Sequence, residues 1–428
     1  MSRRLLQIAW RNLWRNPRRT LLTALALGLG LALLLVSLAV LDGVQEEIIT
    51  NDVKLGPGHT VVQAKGYQES RSQDLLLPAW VVSTTQEFLH DGDLRHSVQG
   101  VSPRLLASGL LSSTAGAFGV SIQGVIPETE RLTSLIAQRV VEGTYLRDGR
   151  SPGLVIGTEL ARRLKVKIGS KVVLMAQAVR PSHSEAGNGA GGDIQSALFR
   201  VTGIFRTGRQ AIDTRVIHLP LSAAQSLLGA PDQVTQVAIL LGREGDSPLV
   251  ARRLQEQLGA AQAEVLTWQE SMAELAQIFR LQDAFRYVIT VILLIMVELG
   301  ILNTILMSVL ERHHEFGVCA ALGLRPARFV GLILCESLVL TTMSLALGLA
   351  LGLGAHYYFA TSGLDLRWFF ADSLFTDRTV FNPVVYSRLS PGRVAWAVGV
   401  VLVLVAVMSV YPAFKAARTK LPDALRVF

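Results

Sequence analysis

Charge is scarce in this chain. Asp, Glu, Lys and Arg make up 17% of its 428 residues, while 50% are hydrophobic, a balance that suits a membrane protein better than a soluble enzyme. Cysteine is scarcer still: Cys319 and Cys335 are the whole complement, so no disulfide framework braces the large polar region. No lysine follows a glycine anywhere, which removes the P-loop and any ATPase built on that motif. G-x-S-x-G and H-E-x-x-H are also missing and the histidines are scattered, so no catalytic constellation or metal site stands out. The net charge of +8 does not mark nucleic-acid binding. Its cations crowd the start (Arg3, Arg4, Arg11, Arg15, Arg18, Arg19) and the end (Lys415, Arg418, Lys420, Arg426), beside apolar runs, which is the positive-inside signature.

The chain does hold long apolar runs. Leu6, Trp10, Leu13 and Trp14 share one face of a first helix with arginines around the other, a pattern for lying flat on the inner leaflet. Asn16 and Pro17 restart the helix, and Thr20 to Leu41 is long enough to span a hydrocarbon layer of ~30 Å. This run is expected to be a retained anchor rather than a cleaved signal, since no small-x-small site follows it. Further spans are expected at Tyr287 to Val309, Phe329 to Thr361 and Val394 to Tyr411, giving four spans with both termini inside. In the third, Ser344, Gly348 and Gly352 at four-residue steps allow close approach of another helix. Within the second, Glu298 is unexpected, because an ionised carboxylate near mid-bilayer costs ~2.5 to 3.5 kcal/mol or more. A hydrogen-bonding role within the bundle, a place in a membrane cavity and a proton relay all remain open for it.

Between the first and second spans the composition turns polar, from Asp42 to about Arg286. HTVVQA, VSPRLLASGLL, FGVSIQGV, GLVIG, KVVLMAQA, LFRVTGIF, RVIHL and VTQVAILL read as strands, alternating with short helices. A capping box at Thr84 to Glu87 and the runs Thr158 to Leu164 and Leu221 to Leu228 mark helices, so the region is an exported α+β domain. The fold class is therefore membrane α-helical with a large α+β domain inserted after the first span. A second capping box, TWQE at Thr267 to Glu270, opens a helix that nothing in the pattern breaks before Glu311. Such a rod is ~64 Å long at 1.5 Å per residue and must protrude from the bilayer, with Met272, Leu275, Ala276 and Phe279 as a packing stripe.

Directly after that rod comes ERHHEFGVCAALGLRP, an amphipathic segment between two apolar runs, with Glu311 and Glu315 on one face and Phe316 and Ala320 as an apolar stripe. It resembles the coupling segment of ABC-transporter permeases of the MacB, FtsX and LolC/LolE superfamily. The tail YPAFKAARTKLPDALRVF is similar to that family's ending, with one extra residue between Arg418 and Pro422. GHTVVQAKGY, GVSPRL, VSIQGVIPETE, VVEGTYL and LVIGTELARRLKVKIGSKVVLM resemble, in order, the periplasmic domain of the lipoprotein-releasing members.

The resemblance implies a division into residues 1–42 (interfacial helix and first span), 43–266 (MacB-like periplasmic domain, with an inserted β-rich part at about 139–231) and 267–428 (stalk, remaining spans, coupling helix and tail). It implies a non-catalytic permease subunit in the inner membrane, with no cofactor of its own and ATP bound by partner ABC ATPase subunits. Docking is expected through Glu311, Arg312, Glu315, Phe316, Gly317, Val318, Ala321, Leu322 and Gly323; His313 and His314 fall in variable positions. The implied activity is mechanical extraction of lipoproteins or similar amphiphiles from the outer leaflet, with a second permease subunit, identical or sibling, and a lipid-modified protein as substrate. A MacB-type efflux permease and an FtsX-like regulator of a cell-wall hydrolase are the alternatives. Lipoprotein-releasing members carry a protruding loop that recruits a soluble carrier. The corresponding stretch RPSHSEAGNGAGGDI offers Pro181, His183, Glu185 and Asp193 but no apolar anchor, and a flexible linker is the competing reading.

Overall fold

The computed structural model describes residues 3–91, 96–147, 153–179, 193–259, 263–311, 326–365 and 384–417. In chain order the elements are α1 (Arg3–Leu13), α2 (Pro17–Leu55), β1 (Thr60–Ala64), α3 (Tyr67–Ser70), α4 (Ala79–Asp91), β2 (Val98–Ser113), β3 (Gly116–Val125) and α5 (Pro127–Thr133). There follow β4 (Val140–Gly143), β5 (Gly153–Gly157), α6 (Thr158–Leu164), β6 (Lys171–Gln177), β7 (Ile194–Phe205), α7 (Gln210–Asp213), β8 (Val216–Pro220), α8 (Leu221–Leu228), β9 (Gln236–Leu241) and α9 (Ser247–Leu258). The remainder is β10 (Ala263–Thr267), α10 (Trp268–Ser271), α11 (Ala273–Glu311), α12 (Pro326–Ser362), the short pair β11 (Leu364–Asp365) and β12 (Val384–Val385), and α13 (Pro391–Ala417). Among the described residues there are two compact units, residues 3–47 with 279–365 and 384–417, and residues 48–278.

The first unit is helical. Thr20–Leu55, Ala273–Glu311, Val330–Ser362 and Pro391–Val410 are each long and apolar enough to cross a membrane. Leu27, Leu31, Leu34 and Leu38 recur at helical spacing along α2 and bury against Leu294, Ile305 and Val309 of α11, Leu345 of α12 and Val401 and Val405 of α13. The outward residues Leu22, Leu29 and Leu33 of α2 are equally apolar and exposed, as a lipid-facing surface requires. Close approach of α12 is to α2: a Cβ on Gly348 would lie 2.8 Å from the carbonyl oxygen of Gly28, so nothing larger fits at that crossing. In α1, Leu13 packs with Ala24 and Leu340 while Trp10 and, just past the helix, Trp14 stay exposed with their rings 5.9 Å apart, and the Thr20 hydroxyl donates to the Leu13 carbonyl at 2.6 Å.

The second unit is built on one mixed sheet ordered β10-β1-β9-β2-β3-β8-β5-β7-β4. β6 pairs with both β2 and β7, so β2, β3, β8, β5, β7 and β6 close into a ring around Leu105, Ile122, Ile156, Leu174, Phe199 and Ile217. α6 and α8 plug that core with Leu160, Leu164, Ala224 and Leu228. β2 makes the closure possible by its length: its first half pairs with β9 and its second half with β6. A second core, beneath β1 and β9, takes Val62, Val237 and Ile239 from the sheet and Val81, Leu89, Val250 and Leu254 from α4 and α9.

Three expectations are corrected. α4 starts at Ala79, ahead of the Thr84 box, because Pro78 serves as its start (Val81 N–H donates to Pro78 at 3.0 Å) and Thr85 bonds back to Val81 inside the helix. The Thr267 capping box is present with both reciprocal bonds, yet it opens only the short α10; Met272 leaves helical geometry at φ −117°, ψ 52°, and α11 starts afresh at Ala273. Strands β4, β10, β11 and β12 were not expected.

Candidate functional site

The sequence pointed to three places, and the structure treats them differently. α11 ends at Glu311, exposed, and α12 begins at Pro326; Arg312, Glu315, Phe316, Gly317, Val318, Ala321, Leu322 and Gly323 lie outside the described residues. Pro181, His183 and Glu185 also lie outside them. Their flanks pair as an antiparallel hairpin from Lys171↔Arg200 to Gln177↔Ile194, and the exposed Asp193 extends the ladder by accepting from Ala178 at 3.0 Å.

Glu298 is 3% exposed, on the α11 face that also buries Leu294, Ile305 and Val309, and neither carboxylate oxygen has a hydrogen-bond partner among the described residues. One turn away, Leu294 lines a 20 Å³ cavity with Leu27, Leu31, Thr341, Ser344 and Val401, room for about one water. At the far end of this bundle Asp42 of α2 accepts from Arg286 of α11 at 2.7 Å and pairs with Arg393 of α13, a clasp with both partners of its principal bond largely buried. The pattern of separated spans gave no sign of it, since its members are far apart in sequence.

In the second unit the sheet carries a buried polar row. Arg104 of β2 donates from Nε to Glu130 of α5 at 2.9 Å and its Nη2 lies 2.9 Å from the other oxygen; Ser102 donates to the same carboxylate at 2.8 Å. Burial alone would push the Glu130 carboxyl up, but the charge of Arg104 and the hydrogen bonds from Arg104 and Ser102 outweigh it and hold it below its ordinary value. His218 of β8 is fully buried, which lowers its pKa to about 4. Held neutral, it lies 2.9 Å from the Tyr145 hydroxyl at Nδ1 and 3.0 Å from Gln123 Oε1 at Nε2. Since the amide oxygen can only accept, Nε2 carries the proton and Tyr145 donates to Nδ1. The lone arginine in the otherwise apolar strand run VSPRLL was the signal in the sequence; its partner Glu130 was not legible, because it arrives from a helix.

The description "MacB-like periplasmic core domain" matches residues 20–257, and "FtsX-like permease C-terminal" matches 287–421. The chain belongs to the MacB/FtsX permease family. It is the non-catalytic transmembrane component of an ABC transporter, a multi-pass membrane protein with a large periplasmic domain between its first and second spans, and it implies an ATPase partner. This permease is 23% identical over 96% of its length to the lipoprotein-releasing system transmembrane protein LolE of Haemophilus influenzae, of which it covers 96%. It is 21% identical to LolC of Neisseria meningitidis, covering 95% and 94% of the two chains. The macrolide export ATP-binding/permease protein MacB of Agrobacterium fabrum is 23% identical, with 86% of this chain covering 54% of that protein. Among solved structures, the periplasmic region of MacB from Actinobacillus actinomycetemcomitans is similar at 13% identity and a TM-score of 0.35, over 54% of this chain and 97% of that one.

Proposed function

We propose that this permease extracts lipid-anchored proteins from the outer leaflet of the inner membrane, driven by ATP hydrolysed on a separate subunit. The observation that carries the reading is reciprocal coverage. The chain and the lipoprotein-releasing relatives LolE and LolC match over nearly their whole lengths, whereas the MacB relative extends far beyond it. Two copies, or this chain and a sibling, pair in the membrane with both termini in the cytoplasm, and residues 139–231 form the inserted part of the periplasmic domain. The segment Glu311, Arg312, Glu315, Phe316, Gly317, Val318, Ala321, Leu322 and Gly323 docks on the ATPase. Closure of the ATPases moves this segment, α11 carries the motion toward the periplasmic side, and the lipid is expelled upward rather than through a channel.

Changing Glu311 and Glu315 together to alanine tests the docking surface. The double variant is expected to lose co-purification with the ATPase, or to hydrolyse ATP without moving substrate, at least tenfold below the wild type, corresponding to ~1.4 kcal/mol or more of lost coupling. Wild-type assembly with wild-type coupling would remove the docking assignment. In the same preparation, ATPase stimulation by a triacylated lipoprotein and not by a macrolide supports extraction; the opposite pattern supports the MacB-type efflux reading.

A further inference from the structure

The periplasmic unit contains a cavity of 510 Å³, a size in the ordinary range for ligand sites, on the sheet face opposite the α4 and α9 core. Its floor is two cross-strand rows. In the first, Gln63 of β1 stands opposite Gln236 of β9, which stands opposite Arg104 of β2; in the second, Leu106 of β2 stands opposite Gln123 of β3. Tyr67 and the stretch Ser271 to Leu275, where α10 gives way to α11, form the walls.

The three glutamines are committed only in part. Gln123 spends Oε1 on His218 at 3.0 Å, which leaves its Nε2 as a donor. Gln63 spends Nε2 on Glu264 at 2.7 Å, which leaves its Oε1 as an acceptor. Gln236 is 7% exposed, and no hydrogen bond joins its side chain to another described residue, so both its donor and its acceptor remain. Buried amides are seldom left in this state unless something fills the space before them. The floor carries no free charge, because Arg104 is neutralised by Glu130 and also donates to the Gly56 carbonyl. In the walls Arg71 and Glu274 set one charge of each sign against the other, so the lining as a whole favours neither an anion nor a cation, and Tyr67 is the one aromatic in it, too little to stack a sugar. What matches a row of alternating amide donors and acceptors beside apolar Val61, Leu106 and Met272 is another chain's backbone.

We propose that this cavity binds an extended, uncharged stretch of polypeptide through its backbone amides, with Gln63, Gln123 and Gln236 as the recognising groups. The Tyr145, His218 and Gln123 relay is the positioning device that keeps one donor aimed into the space. An occupant would touch Met272 and the first turn of α11, the helix that runs on to Glu311. The inference rests on the extraction reading only for the owner of the peptide, which would be the segment next to the lipid anchor of the cargo.

The test uses the purified full chain and an unlipidated Ser-Ala-Gly peptide of about eight residues carrying a photoreactive leucine, with adducts mapped by mass spectrometry. Adducts are expected on Val61, Leu106, Met272 or Leu275. Gln236→Met combined with Gln123→Met is expected to lower them about tenfold, the loss of two hydrogen bonds, while adducts elsewhere stay constant. A backbone N-methylated peptide is expected to react equally weakly with both proteins. Thermal melting of the variant is measured alongside; if it is impaired, Gln236→Glu, which keeps the acceptors and adds a charge, serves as the second variant and is expected to lower the same adducts. Adducts scattered over the surface, or unchanged by the substitutions, overturn the proposal. A diacylglyceryl version separates the two readings. If it labels the membrane helices but not this cavity, the cavity proposal fails and extraction stands; if the unlipidated peptide labels the cavity and the lipidated one labels nothing, extraction fails and the cavity proposal stands.

Discussion

Glu298 illustrates how much one residue can constrain a membrane bundle. It is buried on the packed face of α11, yet its oxygens meet no partner among the described residues. A carboxylate in that position costs stability. Glu298→Leu is expected to raise the melting temperature of the purified permease by relieving a cost of ~2.5 to 3.5 kcal/mol, and to lower substrate-stimulated ATP turnover. A lowered melting temperature would instead identify a structural hydrogen bond. His218 makes a second prediction at this scale. Burial sets its pKa to about 4 against an unfolded value near ~6.5, so only the unfolded chain takes up the proton between these values. Stability is thus fully present above pH ~6.5 and falls as pH drops toward 4, by on the order of 3 kcal/mol from this group. His59, lowered to about 4 by burial and then by Lys54, adds in the same direction. His218→Gln, which retains a donor and an acceptor, is expected to flatten that acid limb in thermal melts; an unchanged slope would show that folding does not lower the His218 pKa.

At the scale of elements, short apolar and β-branched runs were enough to locate eight strands, even β1, β5 and β9, in which every residue is buried and no alternation shows. They could not locate β4, whose four residues VVEG are too few to show a period, or β10, whose AEVLT merges into the cap at Thr267. The Thr84 box misled because a local capping pattern carries no information about Pro78, which starts the helix earlier. The ring closed by β6 was illegible for a different reason: β2 and β6 are joined by pairing across the fold, and no local pattern encodes which strand a long neighbour will accept. The hairpin of β6 and β7 was legible in its two flanks, which pair without a register shift from Lys171↔Arg200 to Gln177↔Ile194. Replacing Ser182 to Gly192 by a short Gly-Ser turn is therefore expected to leave assembly and ATPase activity intact, since closure entropy changes only logarithmically with length. Transfer of lipoprotein to a soluble carrier is expected to continue unchanged. Loss of transfer alone would make Pro181, His183, Glu185 and Asp193 part of a carrier-recruiting hook.

The whole molecule was the most legible level and the candidate sites the least. Four apolar runs, a polar region between the first two and cations beside the ends were enough for the architecture, because the bilayer imposes length and charge rules that act on the sequence directly. Of the polar row only Arg104 left a mark in the sequence, as an arginine inside a strand; Glu130, His218 and Gln123 were not legible, because the row is assembled from four separate elements. In the proposed function, this permease, with its four spans and its periplasmic domain, releases lipid-anchored protein on ATP hydrolysis. The direct measurement reconstitutes this permease with its ATPase in proteoliposomes loaded with triacylated lipoprotein and follows the soluble fraction. ATP-dependent appearance of lipoprotein there, in the presence of a soluble acceptor and absent with a non-hydrolysable nucleotide, is the predicted result. Hydrolysis that proceeds at full rate while all lipoprotein stays in the membrane would contradict the account.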